Sequence, residues 1–266
     1  MRVSDWGGRA RSDSPRRIEN RSSAVWARAR RLTLQLYGAR GVEYFGAMSA
    51  PEPRYAYLHG FRSSPNAKKG NELRERMRPD GIELLLPDLN QPSFEGLSVG
   101  AMLRHLDAIH AREGEPSWRI IGSSLGGWLA ARWAELHPSR VNALVLLCPA
   151  FDIKARWPEM MPAGDFERWR REGAAETEDA AGNAARLHFS FYEEASRESQ
   201  WPSPAACPVT VIHGVRDETV PVESSRRWVR DQPDATLIEV DDTHDLLASM
   251  ETIERAVRER FEIPAR

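Results

Sequence analysis

From residue 54 to residue 260, short apolar runs alternate with longer amphipathic ones, and this alternation constrains the fold more than any single residue does. The apolar runs lie at 55–58, 82–86, 118–121, 141–147, 209–212 and 236–240. Between them, 66–77, 98–111, 125–136, the stretch from Pro221 through Trp228, and 245–260 read as helices. The pattern is clearest at 98–111, where Val99, Met102, Leu103, Leu106 and Ile109 recur every three or four residues and mark one apolar helix face. The run 141–147 (VNALVLL) is nearly all apolar, which suits a strand covered on both faces. Strands alternating with helices predict an α/β fold: a mostly parallel sheet, helices on both faces and right-handed crossovers. Reactive groups in such sheets gather at the carboxyl ends of the strands. No internal repeat or low-complexity tract interrupts the pattern.

The rhythm breaks once, between Pro149 and Pro208, where no clear strand is seen. The insert, about 151–207, holds Trp157, Met160, Met161, Phe166, Trp169, Phe189, Phe191, Tyr192 and Trp201. That many aromatic residues argue against disorder, and an ordered insert of this length is commonly a functional lid. The expectation is a short helical lid. Its aromatic residues cover the sheet edge as core, line an apolar acyl site, or do both.

Composition limits the function classes. Hydrophobic residues make up 41% and charged residues 29% of 266, as in globular proteins. No apolar run reaches the roughly 18 residues of a membrane span. A net charge of −2 carries no nucleic-acid signal. Cys148 and Cys207 are the two cysteines, too few for a disulfide framework or a zinc site, which points to a reducing, cytoplasmic setting and no metal. Residues 1–47 carry ten Arg against four Asp or Glu, without the apolar segment of a secretory signal. They read as a basic, disordered extension, with Met48 a natural start for a folded domain over 48–266. The stretch 32–36 (LTLQL) alternates like a strand and is the exception within that extension.

The chemistry concentrates at Gly122-Ser123-Ser124-Leu125-Gly126-Gly127, between the run ending at Ile121 and the helix 125–136. A Gly-x-Ser-x-Gly turn between strand and helix raises its serine on a strained backbone, with small neighbours because side chains would collide there. Gly122 and Gly126 flank Ser124 symmetrically, so Ser124, not Ser123, is the candidate nucleophile. A serine hydroxyl needs a base. Of seven histidines, His213 and His244 follow the insert, and only His244 leaves room for an acid before it in the order serine, acid, histidine. Asp217 follows the run ending at Ile212 and is the expected acid; Asp152 is the runner-up, and Glu218 is less well placed. The oxyanion donors are expected to be the backbone amides of Leu125 and Phe61, with His59-Gly60 allowing close backbone approach. Further substrate contacts are expected from His59, Gly60, Arg62 and Ser123 beside the elbow, and from Phe151 and Trp157 in the insert.

Two stretches together carry a family resemblance: Tyr57-Leu58-His59-Gly60-Phe61-Arg62-Ser63-Ser64-Pro65-Asn66-Ala67-Lys68 and Gly122-Ser123-Ser124-Leu125-Gly126-Gly127. Over about residues 54–262 the chain resembles the small YqiA/YcfP-type esterases of the α/β-hydrolase superfamily. The resemblance implies an α/β-hydrolase fold and hydrolysis of short acyl esters without a cofactor, the partner being a small-molecule acyl ester. The chain departs from the pattern in residues 1–47, in a longer insert, and in Asp242-Thr243-His244-Asp245, which lacks the glycines usual before that histidine. Two rival functions use the same residues differently. A thioesterase would act on acyl-CoA or an acyl carrier, with Arg62 meeting phosphate. An idle hydrolase-fold module would bind without turnover.

Overall fold

The computed structural model describes residues 16–19, 52–204 and 207–264. Along the chain the strands are β1 (Arg16–Glu19), β2 (Arg54–Leu58), β3 (Leu84–Leu85), β4 (Trp118–Ser123), β5 (Val141–Leu147), β6 (Ala174–Glu178), β7 (Ala184–His188), β8 (Val209–Gly214) and β9 (Ala235–Val240). The helices are α1 (Lys68–Met77), α2 (Val99–Arg112), α3 (Leu125–Leu136), α4 (Ile153–Met160), α5 (Asp165–Glu172), α6 (Phe189–Arg197), α7 (Val222–Arg230) and α8 (Met250–Phe261). Seven strands form one sheet in the order β1-β9-β8-β5-β4-β2-β3. Six are parallel, and β1 alone runs antiparallel, against β9.

Alternation along the central strands builds a core on each face of the sheet. On β5, Leu144 and Leu146 pack with Leu106 of α2 and Trp128 and Leu129 of α3, while Val145 and Leu147 pack with Leu73 of α1 and Ile253 and Val257 of α8. Burying β5 on both sides explains its continuous apolar character. Trp118 opens β4, and its indole N–H donates to His110 Nδ1 at 3.1 Å. His110 is buried, at 7% exposure.

Two features differ from expectation. The first is β1, a four-residue strand within the stretch read as a disordered extension. Its sequence, Arg-Arg-Ile-Glu, has one apolar residue and no alternation, so only its pairing with β9 reveals it. The alternating stretch 32–36 and the rest of 1–47 lie outside the described residues. The second is the insert, which is not purely helical: between α5 and α6 it holds the antiparallel hairpin β6–β7. Ala, Glu, Thr and Arg dominate the hairpin and only Leu187 is buried, so the apolar signal of a strand is missing. Its turn is closed by Asp179, whose Oδ1 accepts from the amides of Ala181 (2.8 Å) and Asn183 (2.9 Å).

Buried indoles tie the insert and its return segment to the body. Trp128 Nε1 donates to Ser199 O at 2.9 Å, and Trp228 Nε1 donates to Pro202 O at 2.7 Å. Each buries a large ring and satisfies its single donor. Cys148, just after β5, and Cys207, just before β8, are buried and free. Among the described residues, no helix is long and apolar enough to cross a membrane.

Candidate active site

The elbow follows from packing. A Cβ on Gly122 would lie 2.5 Å from Gly126 O, and one on Gly126 would run into the carbonyl oxygens of Leu58 and His59. Only hydrogen at both positions lets α3 start directly over the end of β4. Ser124 between them has φ 54° and ψ −119°, a conformation that costs energy for a side-chain-bearing residue. Its amide donates to Leu147 O at 2.9 Å, and its carbonyl accepts from Gly127 and Trp128 of α3.

The strain is regional. Seven described non-glycine residues have positive φ, and five of them (Arg62, Ser124, Cys148, Asp152 and Leu246) stand in loops at the carboxyl end of the sheet. Strained backbone of this kind clusters at functional sites.

The structure brings Ser124, His244 and Asp217 together. His244 Nε2 lies 3.0 Å from Ser124 Oγ, and its Nδ1 lies 2.7 Å from Asp217 Oδ2. A carboxylate accepts only, so Nδ1 carries the ring proton and Nε2 is free to accept from the serine hydroxyl. The Asp217 side chain is fully buried. Its Oδ1 accepts from the amides of Thr219 and Val220, each at 2.8 Å. Burial alone would raise its pKa, but hydrogen bonds from His213, His244 and Val220 outweigh burial and hold the carboxyl well below the usual carboxylate range.

Three residues that support this arrangement were not singled out from the sequence. His213 is fully buried, with Nε2 2.8 Å from Val220 O and 3.2 Å from Asp217 Oδ2. A carbonyl cannot donate, so Nε2 is the protonated nitrogen and Nδ1 accepts from the Ser225 hydroxyl at 2.7 Å. The Cys148 sulfur lies within 4.8 Å of the Asp217 carboxylate and the His213 imidazole, and burial pushes the thiol's pKa far up, so it stays protonated. Cys148, His213 and Asp217 are grouped tightly enough to hold a metal ion, but the His213 nitrogens and the Asp217 oxygens are engaged in hydrogen bonds and the thiol is held protonated by burial. Asp242 replaces the missing glycines of the histidine loop. Its Oδ1 accepts from Thr243 N and its Oδ2 from the Ser249 hydroxyl, both at 2.8 Å. The loop also lies tight on the acid loop, since a Cβ on Gly214 would stand 2.6 Å from Thr243 O. The spacing His213-Gly214-x-x-Asp217 was the visible signal for the first of these; Asp242 and Cys148 left none.

Asp152, the runner-up acid, is the N-cap residue of α4 and makes no hydrogen bond to His244 among the described residues. Glu218 is exposed.

The loop after β2 reaches the serine: a Cβ on Gly60 would stand 3.1 Å from Ser124 Cβ. His59 fixes that loop. It is buried, accepts from Leu89 N at Nε2 (3.0 Å), and donates from Nδ1 to Gly60 O (2.9 Å). Burial lowers its pKa, consistent with a neutral ring. No hydrogen bond among the described residues engages the amides of Phe61 or Leu125, and both residues border the same cavity as Ser124.

That cavity has a volume of about 240 Å³ and is mostly apolar, walled by Phe61, Leu125, Phe151, Trp157, Met160 and Val220 among others. Phe61 packs on Phe191 of α6 and Trp157 of α4, at ring-centre distances of 6.2 and 5.3 Å. Of the expected substrate contacts, Phe151 and Trp157 line the cavity, while His59, Gly60, Arg62 and Ser123 do not. Arg62 instead pairs with Glu178 of β6 at 2.7 Å, joining the loop to the hairpin. Ser123 is buried and accepts from Lys69 Nζ at 3.2 Å. A larger cleft, about 500 Å³, runs along Glu52, Arg54, Glu83, Arg119 and Glu262, at the amino ends of β2 and β4 and away from Ser124.

The family model described as "Uncharacterised protein family (UPF0227)" matches residues 54–259. The chain is similar to the mitochondrial palmitoyl-protein thioesterase ABHD10 of Rattus norvegicus, at 25% identity over 183 residues, 65% of this chain and 62% of that protein. It is also similar to the pimeloyl-[acyl-carrier protein] methyl ester esterase of Citrobacter koseri, at 36% identity over 109 residues, 40% of this chain and 41% of that protein. These matches thus span less than two thirds of the relatives' own length. Among solved structures, mouse alpha/beta hydrolase domain-containing protein 10 superposes with a TM-score of 0.66 at 22% identity, covering 81% of this chain and 92% of that one. Est1E from Butyrivibrio proteoclasticus, with ferulic acid bound, gives 0.67 at 21% identity, covering 79% and 88%. At those identities the likeness is one of fold, and the fold is that of the α/β hydrolases. On the match over residues 54–259, the chain belongs to the UPF0227 family, the YqiA/YcfP-type group of the α/β-hydrolase superfamily.

Proposed function

We propose that this protein hydrolyses carboxylic esters of short to medium acyl chains, with Ser124 as nucleophile, His244 as general base and acid, and Asp217 as the group that orients the imidazole. The observation carrying the proposal is the unbroken hydrogen-bond chain from Ser124 Oγ through His244 to the buried Asp217 carboxylate. In the first half-reaction, Ser124 Oγ attacks the ester carbonyl while His244 Nε2 takes its proton. The oxyanion of the tetrahedral intermediate is held by the amides of Phe61 and Leu125. His244 then protonates the departing alkoxide and leaves an acyl-enzyme. Water, deprotonated by His244, attacks that ester; the carboxylic acid departs and Ser124 recovers its proton. Asp217 stays ionised throughout and stabilises the imidazolium.

A second reading, thioesterase activity, is favoured by the relatives named palmitoyl-protein thioesterase. The cavity of about 240 Å³ argues for shorter chains, since it falls below the roughly 300–1,000 Å³ usual for ligand pockets. A matched panel of acyl esters and thioesters separates the two readings. Ser124→Ala is expected to lower ester turnover by more than about 10⁴ and to abolish labelling by a fluorophosphonate probe. A folded Ser124→Ala variant that keeps turnover within about tenfold of wild type would refute the nucleophile assignment. A wild-type protein that ignores both panel and probe would favour an idle binding module.

A further inference from the structure

Among the described residues, Arg156 of α4 is the only charged side chain on the wall of the cavity that holds Ser124. Its guanidinium is unevenly engaged. Nη1 donates to Glu159 at 2.9 Å, one turn along the helix. Nη2 reaches Thr219 O only at 3.5 Å, the outer limit of a hydrogen bond. Nε is buried and has no hydrogen-bond partner among the described residues. Buried donors are nearly always paired, so an orphan on a cavity wall calls for an explanation. Nε and Nη2 together form the side edge of the guanidinium, which matches the two oxygens of a carboxylate. The neighbouring wall supplies no competing donor from Thr219 and Val220, whose amides are bound to Asp217.

We propose that Arg156 makes this site selective for esters whose chain within the cavity carries a carboxylate. The proposal rests on the ester-hydrolase reading above and names its substrate class: half-esters of dicarboxylic acids and related ω-carboxyacyl esters. Glu159, whose side chain is 62% exposed, balances the guanidinium from the solvent side.

The test pairs p-nitrophenyl esters of ω-carboxyalkanoic acids with neutral alkanoyl esters of equal length, in a ladder of chain lengths, on the full chain. At the fitting length the carboxylate ester is expected to have the higher kcat/KM, chiefly through a lower KM. Arg156→Met should reduce the ratio of carboxylate to neutral kcat/KM by about tenfold to a hundredfold, the range of a hydrogen bond to a charged group. Glu159→Gln, which releases Nη1, should raise that ratio. Equal losses on both ester series in Arg156→Met would overturn the proposal, because a residue that merely ties α4 to the Thr219 loop affects all substrates alike. Binding gives an arm independent of turnover. In the Ser124→Ala background, dicarboxylic monomethyl esters should raise Tm more than neutral methyl esters, and adding Arg156→Met should erase the difference. No carboxylate preference in that binding arm overturns the proposal whether or not esters are cleaved. Preference in binding without any hydrolysis by wild type would sustain Arg156 and refute the esterase reading alone.

Discussion

Asp217 is the most heavily engaged group near Ser124, taking hydrogen bonds from two amides and two imidazoles. Asp217→Asn keeps the shape but offers an amide donor or acceptor where His244 needs a carboxylate, favouring the wrong tautomer. Turnover on a short acyl ester should fall by about 10⁴. Asp152→Asn, at the start of α4, should stay close to wild type; the reverse ranking would move the acid to the end of β5. The depressed pKa also has a stability signature. A carboxyl with a folded pKa below its unfolded value of about 3.9 stabilises the fold above that value, and the contribution is lost as the pH falls toward the folded one. The Tm gap between wild type and Asp217→Asn should therefore be widest near neutral pH and narrow on acidification below about pH 4. A pH-independent gap would mean that the carboxylate is not held ionised by its neighbours.

The strand–elbow–helix unit is where packing tolerance is smallest. Gly126→Ala drives a methyl group into the backbone of Leu58 and His59, and backbone has no rotamer with which to yield. Overpacking costs about 1–3 kcal/mol and more against rigid atoms, so loss of soluble protein or a large drop in Tm is expected. Gly100→Ala, in the first turn of α2, presses closest on the end of the flexible Arg104 side chain, at 3.1 Å, with Ser98 Oγ at an ordinary 3.8 Å, and should be neutral or stabilising by about 0.5–1 kcal/mol. Equal melting temperatures for the two variants would contradict this account of the elbow. The same contrast explains what sequence could and could not tell. Strands buried on both faces, such as β5, and helices with an apolar stripe, such as α2, show their period directly, and the predicted bounds 125–136 and 141–147 match α3 and β5. The Gly-x-Ser-x-Gly turn was legible because its sterics admit few residues. The hairpin β6–β7 was not, because it buries one side chain, and strand β1 was not, because backbone pairing at an edge leaves no apolar trace. His59 and Arg62 lay beside the elbow in sequence, but the folded loop uses them to brace Gly60 and the hairpin rather than to line the cavity.

At the scale of the whole molecule, the residues proposed for catalysis and the cavity wall all lie within 61–244, whereas β1 lies far outside that span. A chain beginning at Met48 should therefore keep ester turnover. Its Tm should fall by about 2–4 °C if pairing β1 with β9 contributes on the order of 1 kcal/mol. An unchanged Tm would show that β1 adds nothing to the sheet, and lost turnover would tie residues 1–47 to the site. The two buried cysteines have a different consequence. Cys148 sits under the acid loop and Cys207 at the foot of the insert, and burial pushes the Cys207 thiol up to about 12 and Cys148 higher still. Alkylating reagents consume thiolates, so both sulfurs are chemically silent while the fold is closed. They become reactive only when the chain opens around them, and the time course of their alkylation is a clock that reads the opening of the acid loop and of the insert's base separately.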